Sequence, residues 1–79
     1  NTTLNLNNLR STGMYRLSNC YVQSGPYPTN NAHWVYVKVT VFDVNTVFQT
    51  LYEGDNMYGR KSYSTTNWGQ WHQYLNKTV

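Results

Sequence analysis

Apolar and polar residues alternate along much of this chain with a period of two, not 3.6, so the expected elements are strands. The clearest run is His33 to Asp43. There Val35, Val37, Val39 and Val41 share one face, and Trp34, Tyr36, Lys38, Thr40 and Phe42 share the other. A β-branched stripe suits a buried face, whereas the mixed face is half wet or packs on a partner. Met14 to Ser18 alternates more briefly, setting Tyr15 and Leu17 against Met14 and Arg16. A turn at Asp43 to Thr46 leads into Val47 to Tyr52, antiparallel to the valine strand. Glu53-Gly54-Asp55-Asn56 is then a tight turn into Met57 to Arg60. Trp68 to Leu75 closes the chain as a last strand or extended segment.

Asn19 to Ala32 holds Gly25, Pro26, Pro28, Asn30 and Asn31, which a central strand does not tolerate. It reads as one long loop with at most a short edge segment. Ser62 to Asn67 is a second, polar loop. At the front, Leu4, Leu6 and Leu9 leave two readings open for residues 1–9: an extended arm or connection, or a short turn of helix. The expected fold class is mainly β, a small antiparallel sheet of four to five strands with one long loop and little or no helix. It forms a single domain over residues 1–79, with Tyr15, Leu17, Val35, Val37, Val39 and Val41 in the core.

Composition adds a constraint on stability. A chain of 79 residues hides little more than half of its unfolded surface, so a staple is expected. One cysteine, Cys20, and two histidines, His33 and His72, supply neither a disulfide nor a metal spacing. No metal or cofactor is therefore expected. Oligomerisation, or membership of a larger chain, remains as the staple. Cys20 fits folding in a reducing cytoplasm and reads as a small buried hydrophobe.

The net charge of +3 comes from having few acids more than from many bases. Arg10, Arg16, Lys38, Arg60, Lys61 and Lys77 are scattered, and a nucleic-acid surface would show a denser stripe, so no nucleic-acid partner is expected. No apolar run is long enough for a membrane span, and no membrane insertion is expected. The chain begins at Asn1, so the lack of a visible leader says nothing.

Candidate chemistry separates into two classes. Asp43 and Glu53 lie at opposite ends of one predicted hairpin strand, and Asp55 sits in a turn. Glycosidic hydrolysis needs two carboxylates about 5–10 Å apart in a cleft, and this arrangement places no such pair. No catalysis is expected. Glycan binding needs aromatic faces for sugar C–H surfaces and polar groups for the hydroxyls. Tyr27, His33, Trp34, Arg60, Tyr63 and Trp71 supply that set, with specificity expected in the Tyr21 to His33 loop and at Tyr63. The alternative for the tryptophans is core packing, and for Arg60 a salt bridge or a cation–π partnership with the tryptophans.

The order of features also resembles a family. Asn5-Leu6-Asn7-Asn8-Leu9, then Gly13-Met14-Tyr15-Arg16-Leu17, then a Pro/Gly/Asn loop before Trp34 and an alternating strand, then Met57-Tyr58-Gly59-Arg60 and Trp68-Gly69-Gln70-Trp71, together resemble the knob domain of R-type pyocin and phage tail fibres. The likeness spans nearly the whole chain. Asn5 stands where that family more usually has Asp, Thr12 where Pro often precedes the glycine, and Gly59 where an apolar residue would continue the strand. The last departure suggests a bulge.

The resemblance implies a β-rich module of a homotrimeric fibre on a virion or tailocin particle, folded in the bacterial host cytoplasm and extracellular after release. Its role would be attachment to bacterial surface glycans, lipopolysaccharide or wall polymer. A purely structural, trimer-forming spacer is the alternative, and a nucleic-acid-binding β-module a third. The closing Trp-small-x-Trp also implies that at least one tryptophan closes the core. Positions 68 and 71 differ by three and so point to opposite faces of a regular strand, which puts Trp68 inward and Trp71 outward.

Overall fold

The computed structural model describes residues 2–27 and 31–74. Six strands form one open sheet in chain order: β1 (Thr2–Asn5), β2 (Gly13–Gln23), β3 (Ala32–Val41), β4 (Val47–Glu53), β5 (Asn56–Lys61) and β6 (His72–Tyr74). Pro28 and Asn30 of the expected loop, and Leu75 of the expected last strand, lie outside the described residues. The mainly β class holds, but the described residues form six strands instead of four to five, and the sheet is mixed. Strand β1 runs parallel to β2, with Thr2 opposite Cys20 and Asn5 opposite Gln23, while the other ladders are antiparallel. Thr-Thr-Leu-Asn carries no alternation, which is why β1 escapes a pattern-based reading.

A parallel pair cannot be joined by a tight hairpin, so the chain must cross a face of the sheet between β1 and β2. It does so through a 3₁₀ turn, Leu6–Asn8, started by Asn5, whose Oδ1 accepts from the Asn7 amide at 3.0 Å. Residues 2–9 are therefore part of the domain. Leu6 is wholly buried and plugs the valine stripe, joined by Val22, Val35, Val37, Val39, Val47 and Leu51. Each such side chain contributes about 1.5–3 kcal/mol on leaving water. Tyr15, Leu17 and Trp68 pack against this cluster partly buried, as do Leu4 and Leu9.

Val41, expected in the core, is 37% exposed. It faces inward opposite Val47 at the last rung of the β3–β4 ladder, at the end of the strand beside the turn, where exposure rises from 1% at Val39. The long loop is also shorter than expected, because β2 continues to Gln23. Between Leu17 and Cys20 the register with β3 shifts, and Asn19 takes a left-handed φ of 53°. That irregularity uses an extra residue to bring Cys20 and Val22 back to the inner face, so the inward positions are no longer two apart. Asn tolerates this conformation better than most residues.

The hairpins follow expectation. Gly54, at φ 58°, forms the two-residue turn between Glu53 and Asn56. In the β3–β4 turn, Asp43 Oδ1 accepts from the Asn45 and Thr46 amides at 2.9 and 2.7 Å, and these bonds hold its carboxyl below the ordinary range. Gly59 forms no bulge, since the β4–β5 register runs unbroken from Phe48–Lys61 to Glu53–Asn56.

Candidate functional site

Strand alternation divides the expected binding residues between two faces. Arg60, on the inner face of β5, is only 8% exposed. Its guanidinium lies 4.0 Å from the Trp68 ring centre and 4.7 Å from that of Trp71, and Arg10 stacks on Trp68 at 5.0 Å. Arg60 Nε donates to Gln49 Oε1 at 2.8 Å, and Gln49 Nε2 donates to the Leu6 and Leu9 carbonyls at 2.7 and 2.9 Å. Burial, with the nearby Arg10 charge, pushes the Arg60 guanidinium down to about 10, so it remains a cation at neutral pH.

Trp71 therefore does not face outward. It packs against the core, covers Arg60 and donates from Nε1 to the Ser24 carbonyl at 2.8 Å. The alternation argument fails here because residues 68–71 are not a strand: Trp68 makes an isolated bridge to Ser62, and β6 begins at His72.

Tyr27 and His33 stack at 3.7 Å between ring centres, with Tyr58 edge-on to Tyr27 at 6.0 Å. His33 Nδ1 lies 2.6 Å from Glu53 Oε2, and since an ionised carboxylate only accepts, Nδ1 carries the proton. His33 Nε2 and Tyr27 Oη are buried without a hydrogen-bond partner among the described residues. Burial first, then the Glu53 charge, raises the Tyr27 phenol well above its ordinary value.

The folded state thus keeps a proton that the unfolded chain releases near pH 10. This contribution is fully present below about pH 10 and is lost as pH rises beyond it. Tyr27→Phe keeps the stack and removes that proton. Urea titrations above about pH 10 should then show a stability slope shallower by one proton, and an unchanged slope would disconnect this phenol from alkaline unfolding.

The other face carries a different arrangement. Thr50, Gly59 and His72 stand side by side across β4, β5 and β6, flanked by the Phe48–Lys61 and Met57–Tyr74 pairs. A Cβ on Gly59 would stand 2.6 Å from the Tyr74 hydroxyl and 2.8 Å from its ring, so the Tyr74 ring lies over this glycine. Gly69, whose amide donates to the Lys61 carbonyl at 2.8 Å, lies likewise beneath Tyr63. The two rings remain 48% and 66% exposed. Between them and Phe48 opens a groove of about 280 Å³, edged by Thr50, Lys61, Gln70 and His72.

Of the six expected residues, this groove takes the side chain of Tyr63 and, as floor, the backbone of Arg60. Trp34 stands on the same outer face but at the start of β3, 61% exposed. Tyr27, His33 and Trp71 belong to the inner side. Phe48, Thr50, Lys61, Gln70, His72 and Tyr74 were not among the expected site residues. The outward phase of β4 and β5 would have found Phe48, Thr50 and Lys61, whereas Tyr74 and Gln70 meet them only through tertiary packing.

The arrangement can hold a flat-faced polar ring: two aromatic surfaces for C–H stacking, with hydroxyl, amide, imidazole and ammonium groups around them. Of the acids, Asp43 is tied to its own turn, Glu53 faces His33 and Asp55 is exposed in the β4–β5 turn. Among the described residues, no group of three or more His, Cys, Asp and Glu converges to hold a metal ion, and no helix is long and apolar enough to cross a membrane. No protein-family model, curated protein or solved structure matches this chain.

Proposed function

We propose that this chain is a non-catalytic module of a phage tail fibre or tailocin that contributes to attachment to bacterial surface glycans, and that the β4–β6 groove is its sugar site. The observation that supports this is the pair of solvent-facing tyrosines lying on Gly59 and Gly69 with polar groups around them. Glycines beneath the rings let them lie close to the backbone, so the platforms are positioned before ligand arrives, which reduces the ordering cost of binding.

A second reading, a trimer-forming spacer, is favoured by another part of the same face. Met14, Trp34 and Tyr36 on β2 and β3 are all more than half exposed, as an interface with neighbouring copies would require. The two readings use different strands and are compatible.

The chain should bind at least one immobilised bacterial lipopolysaccharide or wall polymer, and Tyr63→Ala or Tyr74→Ala should weaken that binding at least about tenfold, the effect of losing one well-packed aromatic contact. Silence across such an array, together with unchanged adsorption of particles lacking the domain, would leave only the spacer reading.

A further inference from the structure

We infer that the groove selects an anionic sugar, one bearing a carboxylate or a phosphate; this rests on the glycan reading above. The charge around the groove is one-sided. Lys61 stands on its edge with Nζ 5.4 Å from the Tyr63 ring centre, the His72 imidazole faces the same space, and no Asp or Glu lines it. The chain's three acids lie elsewhere, Asp43 in the β3–β4 turn and Glu53 and Asp55 at the β4–β5 turn.

A second source of positive potential lies under the floor. Arg60 contributes its backbone to the groove and sends its guanidinium to the opposite face, where it meets Trp68, Trp71 and Gln49, all uncharged. Arg10 adds its charge against Trp68 as well, donating to the Val44 and Ser64 carbonyls and to Ser62 Oγ. Neither guanidinium has a carboxylate partner among the described residues. A buried cation without a counter-ion keeps its field, because low-dielectric surroundings screen it weakly. A neutral sugar would make no use of this field. A uronic acid or sugar phosphate stacked on Tyr63 or Tyr74 would place its anion toward Lys61, a charge-assisted contact stronger than a neutral hydrogen bond.

The test is amide chemical-shift titration of the whole chain with trigalacturonate, glucose 6-phosphate, maltotriose and inorganic phosphate, at low and high salt. Trigalacturonate or glucose 6-phosphate should shift the Gly59, Lys61 and Gln70 amides and bind more tightly than maltotriose. Their affinity should fall with salt and drop about tenfold in Lys61→Gln, an exposed position where the variant stays folded. Whichever anionic probe binds identifies the carboxylate or the phosphate. Maltotriose binding equally well in the groove, indifferent to Lys61→Gln, overturns the charge selectivity and leaves the glycan reading standing. Inorganic phosphate matching the sugars also overturns it, since the rings then contribute nothing. If no sugar moves the groove amides, both readings fall.

Discussion

Gln49→Leu should cost the domain about 4 kcal/mol, much of its total stability. The side chain is 1% exposed, and Leu matches it closely in size, so packing changes little. What changes is polar satisfaction. Gln49 Nε2 serves the Leu6 and Leu9 carbonyls, and its Oε1 is the acceptor for Arg60 Nε. The Leu6 carbonyl keeps the Leu9 amide at 3.1 Å, but Leu leaves the Leu9 carbonyl and Arg60 Nε unmet, at about 1–3 kcal/mol for the unsatisfied neutral group and about 3–5 kcal/mol for the buried ion that loses its partner. Relaxation makes these penalties less than additive, so the lower end of their sum is the expected effect. Against a usual whole of about 5–15 kcal/mol, that brings the domain close to unfolding in urea melts. Adding Arg60→Met removes the stranded charge, and the double variant should be more stable than the sum of the single effects implies. A loss below about 1 kcal/mol for Gln49→Leu would mean that Gln49 does not hold the crossing segment to the sheet.

Gly59→Val should do the reverse, removing ligand binding while leaving the fold in place. Gly59 does not have the positive φ that would exclude a side chain, and it lies within an unbroken β4–β5 ladder, where a β-branched residue is favoured. The new side chain would enter the space now held by the Tyr74 ring, whose nearest atom lies 2.6 Å from the Cβ position. Tyr74 is on a three-residue edge strand and its ring is half exposed, so the valine displaces the ring without breaking the β4–β5 ladder. Stability should change by less than about 1 kcal/mol, since lost ring packing and gained strand propensity oppose each other. Glycan binding should fall more than about tenfold, because the groove floor is filled and one platform displaced. Full binding in a folded Gly59→Val protein would place the sugar elsewhere, with the Trp34–Tyr36 surface the next place to look.

How much of this was legible in the chain depends on how local each feature is. Val35, Val37 and Val39 announce a buried strand because two-residue spacing is enforced by the backbone itself, and Gly54 announces its hairpin for a similar reason. The bulge at Asn19 was hidden because it breaks that spacing, leaving Cys20 and Val22 to look like part of a loop. Val41 shows a different limit: alternation assigns a face to each residue but does not say how far the cover over that face extends. The candidate site was the least legible part. Arg60 reads equally as a ligand contact or a cation–π partner of the tryptophans, and only the packing of Trp68 and Trp71 around it decides for the second. Tyr74 acquires its role only when β6 lays it over Gly59, a glycine that in sequence resembled a defect in the strand.

The division of β4 and β5 into two faces bears on how such a module could change its target. Val47, Gln49, Leu51 and Arg60 hold the interior, while Phe48, Thr50 and Lys61 sit between them in the chain and face away. Substitutions at the outward positions need not disturb the packing beneath, because neighbouring side chains on a strand do not share an environment. Ligand preference and structural integrity can thus diverge residue by residue within two short strands. Under the proposed attachment function, a host that altered its surface polymer could be met by exchanging outward side chains on an unchanged scaffold.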